Sequence, residues 1–194
     1  MCPGMLDLAL SVLSEGSKRL REKLTEYDYQ LTPEAYALQE FIRKLYAEEK
    51  GGVSLDAVTR RVKELIEAVW KDPEQRRRLL EQREKLCKSR IRAEAETVVE
   101  MLEALSEGLE DGAEGAAAAA MAAALRVTLA QCSPRWEKLS PEERAEVLAP
   151  LYMALYHLER FRATRDPYEA EAAETLALLA QARLESLLAE GVGN

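Results

Sequence analysis

Apolar residues along this chain recur at intervals of three and four. The run Leu55, Val58, Val62, Leu65, Ile66, Val69 is the cleanest example, and it places its side chains on one face of a helix. Nowhere does the alternation that a half-buried strand requires persist. The pattern predicts helices near 5–28, 33–50, 54–71, 73–110, 113–131, 141–164 and 167–190, with a short helical turn at 134–139.

Starts are marked by a capping residue followed by proline at the first helical position, where the missing N–H costs nothing. This occurs at Thr32-Pro33, Asp72-Pro73, Ser133-Pro134, Ser140-Pro141 and Asp166-Pro167. Ser140 with Glu143, and Asp166 with Glu169, have the spacing of a reciprocal capping box. Gly51-Gly52, Gly112 and Gly191 fit the stops. The expected fold is all-α: about seven helices in one domain, 1–194, forming a bundle with a long basic helix at 73–110. Its N-terminal part, 1–72, is compatible with an extended helical arm, and 73–190 holds the basic helix, an Ala-rich helix and a C-terminal hairpin.

Within Gly115–Leu125 small side chains let helix axes approach closely. Ala118, Met121, Ala122 and Leu125 are the candidate interface, either with a second copy or within the protein's own core. No run of apolar residues is long enough to predict a membrane span. The first residues lack the basic start and long apolar core of a signal peptide, because Asp7 and Glu15 interrupt them. Cys2, Cys87 and Cys132 are odd in number, widely separated and without a C-x-x-C pair, so neither a disulfide framework nor a zinc site is indicated. Charged residues make up 32% of the chain and Asn194 is the lone asparagine, a balance that resembles proteins from hot environments.

Catalytic chemistry has little to stand on. His157 is the only histidine and sits among Tyr152, Tyr156 and Phe161 beside Glu159 and Arg160, as a satisfied structural histidine would. No sequence partner presents itself as its nucleophile or orienting acid. There is no Gly-x-Ser-x-Gly turn, phosphate-binding loop or Glu-x-x-His pair. A non-enzyme without metal or cofactor is expected.

The distribution of charge says more than the total of −8. From Arg60 to Arg92 twelve basic residues face six acidic ones, whereas Ala93 to Leu125 holds eight acidic residues and no basic one. In the predicted basic helix Arg76, Arg83 and Arg90 form one row a heptad apart, and Arg78, Lys85 and Arg92 another. The first row runs inside an apolar stripe of Leu79, Leu80, Leu86, Cys87 and Ile91, so its guanidinium groups need acceptors. These are phosphates, carboxylates of the 93–125 segment, or water reached by snorkelling. Taken as phosphate contacts, the candidate nucleic-acid site comprises Arg60, Arg61, Lys63, Arg76, Arg77, Arg78, Arg83, Lys85, Lys88, Arg90 and Arg92. Pairs four apart, such as Glu81 with Lys85 and Glu84 with Lys88, offer the alternative of an ordinary solvated face.

In architecture the chain resembles the coat proteins of filamentous and rod-shaped viruses of hyperthermophilic archaea, through the basic helix 73–110, the small-residue helix 113–131 and the helical hairpin 141–190. That resemblance implies a self-assembling structural protein that clamps double-stranded DNA between helices, with copies of itself or a related coat protein as partners, and a place in the virion. The acidic total departs from the simplest such coat. The alternative is a cytoplasmic helical interaction subunit, similar to the small helical subunits of CRISPR effector complexes or to an adaptor.

Overall fold

A computed structural model describes residues 33–48, 53–109 and 112–190, apart from the side chains at 33–36, 85, 86, 89–91 and 94. The helix expected at 5–28, the glycine stop at 51–52 and Gly191 lie outside the described residues. Eight helices account for nearly all of the rest: α1 Pro33–Glu48, α2 Leu55–Lys71, α3 Pro73–Cys87, α4 Ser89–Gly108, α5 Gly112–Ala130, α6 Pro134–Lys138, α7 Pro141–Thr164 and α8 Pro167–Glu190. The fold is all-α.

The predicted caps form for local reasons. Asp72 accepts from the amides of Glu74 and Gln75 at 3.0 and 3.2 Å. Ser140 and Glu143 make the reciprocal box, each side chain accepting the other's amide at 3.1 and 2.8 Å. The box expected at Asp166 does not close, because the Glu169 carboxylate is drawn to His157 instead. The turn before it is made by Arg165, the one described non-glycine residue with positive φ (58°), whose amide bonds the Phe161 carbonyl at 2.8 Å. Its guanidinium rests over the Phe161 ring, which helps to offset the left-handed backbone.

The principal packing runs from α2 to α7, α7 to α8, α8 to α5 and α5 to α4, while α1 lies on α2 and α7. Val58, Val62, Ile66 and Val69 are the buried stripe of α2, as the periodicity predicts. Along α8 the buried positions are Ala170, Ala173, Ala177, Ala180, Leu184 and Leu187. Four alanines in this stripe let α8 approach α5, which presents mostly alanine itself. The N-terminal helices α1 and α2 are therefore part of the bundle, with Leu38 and Ile42 fully buried. They are not an extended arm.

Ala118, Met121, Ala122 and Leu125 are buried within the chain, where α5 packs against α4, α7 and α8. They offer no face to a second copy, so the interface they form is internal. The approach is closest near Gly115: a β-carbon there would meet the Ser106 carbonyl at 3.3 Å, and the Ser106 hydroxyl donates to the Gly115 carbonyl at 3.0 Å. By length and composition α5 is the one helix among the described residues that could cross a membrane, and it is mostly buried inside the bundle. A core helix has that same composition.

Two expectations are corrected by the α4–α5 hairpin. The single basic helix 73–110 is broken, because Lys88 takes an extended conformation (φ −60°, ψ 135°) and separates α3 from α4. No glycine or proline stands there to announce the break. Beside it, Cys87 and Cys132 form a disulfide with α-carbons 5.5 Å apart, a bond that the cysteine spacing did not indicate. α4 has 20 residues and α5 has 19, so these antiparallel arms return the chain to its starting level. The residue before the first arm thereby meets the turn after the second.

Candidate functional site

The eleven cations nominated from sequence do not share one environment. On α2, Arg60 and Arg61 are exposed and Lys63 is half-buried, and Arg61 pairs with Glu64. On α3, Arg77 is held by Glu74 at 2.7 Å and by Glu81 at 2.6 Å. The Arg77 hydrogen bond and charge keep the Glu74 carboxyl below the usual glutamate range. Arg78 and Lys88 are exposed. Arg92, on α4, pairs with Glu96 at 3.4 Å. The side chains of Lys85 and Arg90 lie outside the described residues.

The heptad row divides between different acceptors. Arg83 is buried and ion-paired with Glu137 of α6, so a carboxylate answers its charge. It does not come from the acidic segment 93–125. Arg76 is half-buried at the start of α3, where it donates to the Trp70 carbonyl at 3.3 Å. Its guanidinium also lies over the Trp70 ring, 5.6 Å from the centroid. In the acidic segment, Glu103 is engaged by Arg126 at 2.6 Å and Glu114 by Arg165 at 3.9 Å.

Around Trp70 the structure assembles a group that sequence reasoning missed. The indole is 38% exposed, at the end of α2. A second guanidinium, from Arg144 in the first turns of α7, lies 6.0 Å from the same centroid. Arg144 is only 8% exposed, and its Nε is sealed from solvent without a hydrogen-bond partner. Among the described residues no carboxylate pairs with it. Arg144 lies outside the basic 60–92 segment, among the glutamates that open α7, so a count of local charge passes over it.

The second polar constellation centres on His157. Its Nδ1 lies 2.6 Å from the Glu169 carboxylate on α8, and its Nε2 lies 3.1 Å from the Tyr46 hydroxyl on α1. With the Nδ1 proton directed at the carboxylate, the other ring nitrogen accepts from the tyrosine. Tyr156 stacks on Tyr46 with centroids 4.1 Å apart. Nearby, Arg43 of α1 grips Glu159 of α7 at 2.9 Å through two oxygens. The orienting acid that the sequence did not reveal is Glu169, twelve residues on and across a helical turn. Burial, and then the neighbouring tyrosines and Glu169, push the Tyr46 hydroxyl up to about 12. That direction opposes a nucleophilic tyrosinate, and the cluster's evident work is to pin α1 and α8 to α7.

Compared with known protein families, with characterised proteins and with solved structures, the chain matches none, so neither the resemblance to viral coats nor that to effector subunits gains a relative to rest on.

Proposed function

We propose that the protein is a non-enzymatic structural protein that assembles in many copies along nucleic acid, duplex DNA foremost, and holds its phosphates at the corner between α2 and α3. The observation that carries this reading is the exposure of Lys71 and Arg78, on the two sides of that corner, and of Arg60 farther back along α2, without an ion pair to any carboxylate among the described residues. Internal pairing absorbs Arg61, Arg77, Arg83 and Arg92, so each copy has few cations to offer. Contacts that few give weak, salt-sensitive binding by a single protomer, and assembly multiplies them. The net charge of −8 further weakens the isolated encounter.

A second reading, a helical interaction subunit, is favoured by a different surface. Tyr168, Leu178 and Leu179 are exposed on α8, where a protein partner would cover them. A titration on short and long duplexes at fixed salt separates the two. Steep binding that strengthens with duplex length supports the coat, whereas shallow, length-independent binding supports the interaction subunit.

A further inference from the structure

We propose that Arg76 and Arg144, gathered on the indole of Trp70, form a subsite for a phosphate group. This rests on the nucleic-acid reading above only for the source of the phosphate, not for the existence of the site.

The case begins with a charge that no described residue answers. A guanidinium that is nine-tenths buried without an anion is strongly disfavoured, and stacking on an aromatic ring offsets only part of that cost. Five carboxylates on adjoining elements are committed elsewhere, and no described carboxylate, Glu67 and Glu142 included, forms an ion pair with Arg144. Glu143 caps α7, Glu146 pairs with Arg183, Glu137 holds Arg83, Asp72 caps α3 and Glu74 holds Arg77. No nitrogen of Arg144 has a hydrogen-bond acceptor among the described residues, and only Nε is sealed from solvent, so its terminal nitrogens reach the surface.

Arg76 brings the second charge. Its bond to the Trp70 carbonyl uses one of five N–H donors. Both guanidinium carbons lie within about 6 Å of one ring centroid, so the two charges border the same indole, and a phosphate group or a stretch of phosphate backbone at that ring meets them both. Arg76 and Arg144 are each the fourth residue of their helices, so the positive ends of α3 and α7 lie behind them. Phosphate suits this arrangement better than carboxylate, because its several oxygens can accept from two planar forks at once. The exposed part of Trp70 then provides a stacking surface for a base or sugar.

The probe is inorganic phosphate, followed by pyrophosphate, read by tryptophan emission at low ionic strength. Trp136 has no exposed surface, so a saturable change reports Trp70, and Trp70→Phe should abolish it. Arg76→Gln and Arg144→Lys should each weaken phosphate binding roughly 10- to 100-fold, the worth of a hydrogen bond to a charged group. Lysine keeps the buried charge and loses only the fork, and Arg76 is exposed enough that its replacement spares the fold. The double variant Arg60→Gln/Arg78→Gln should bind phosphate like the native protein. No saturable phosphate response from the folded native protein, or equal affinity in Arg76→Gln and Arg144→Lys, overturns the subsite. Phosphate binding that depends on both arginines, without any binding to duplex DNA, upholds the subsite and overturns the coat reading instead.

Discussion

Replacing Cys132 by serine tests the tertiary arrangement at its most informative joint. The disulfide closes a loop of 45 residues, and the chain-entropy relation assigns such a loop about 4 kcal/mol of stability at 25 °C. The α4–α5 hairpin inside that loop retains some local order when the chain unfolds, so the measured loss should be smaller, about 2–4 kcal/mol. For a chain of this size each kcal/mol moves the melting temperature by about 2–4 °C, which gives a fall of roughly 4–16 °C. The loss should be uneven. Apart from this bond, α3 is held by buried Leu79, by the Arg83–Glu137 pair and by light packing on α1, α2 and α4, so amide exchange should accelerate most over 73–87. Calorimetry of the native protein and of Cys132→Ser gives the first quantity, and hydrogen exchange gives the second. A thiol count on the native protein in denaturant without reductant should give one, because two of the three cysteines are bonded to each other. Three titratable thiols, or a melting temperature unchanged to within about 1 °C, would refute the reasoning.

Further outcomes follow from single contacts. Ala118→Leu or Ala122→Leu forces volume into the α5 interface and should cost about 1–3 kcal/mol in a denaturant melt, with the chain's association state unchanged because both sites are internal. Glu137→Gln leaves the buried Arg83 charge with a neutral partner. Because Glu137 is 41% exposed, water relieves part of the loss, and urea unfolding should show about 1–3 kcal/mol. Burial and then Glu171 raise the Glu174 carboxyl above the usual glutamate range. The folded protein therefore holds that proton more tightly than the unfolded chain does. The associated stability is present below the unfolded value and is lost as pH rises through the folded one. Glu174→Gln should accordingly melt above the native protein at pH 7 and together with it at pH 3, and a reversed pH trend would remove the argument.

Most of the helical frame was legible because its signals are local. Asp72-Pro73, Ser133-Pro134 and Ser140-Pro141 state their caps within four residues, and the starts they predict are where α3, α6 and α7 begin. The α3–α4 break was not legible. The run Leu86-Cys87-Lys88-Ser89 carries no breaker, and the helix ends there beside a residue bonded to a turn 45 positions away. The same non-locality hid the disulfide, since spacing in the chain is silent about two arms of equal length. It also undid the Asp166 box: Glu169 had the right spacing for the cap, but an imidazole across the turn is the stronger claimant.

The candidate site was legible as a location more than as a set of partners. Of the heptad row and its expected stripe, Arg83 and Leu79 are buried, whereas Leu80 is exposed. Helical periodicity gives the direction in which a side chain leaves its helix, whereas the acceptor belongs to whichever element packs opposite. For Arg83 that element is the five-residue α6, too short to leave a periodic signal, and its Glu137 takes the charge. For Arg76 it is the end of α2, which presents the Trp70 ring and carbonyl in place of a carboxylate. The described part of the row therefore divides by what each arginine meets: the Arg83 charge is neutralised within the chain, and Arg76 lies on an exposed indole with Arg144, which no described carboxylate pairs. Anion binding at this corner depends on that second group, and Arg144 lies outside the basic 60–92 segment that charge counting picked out.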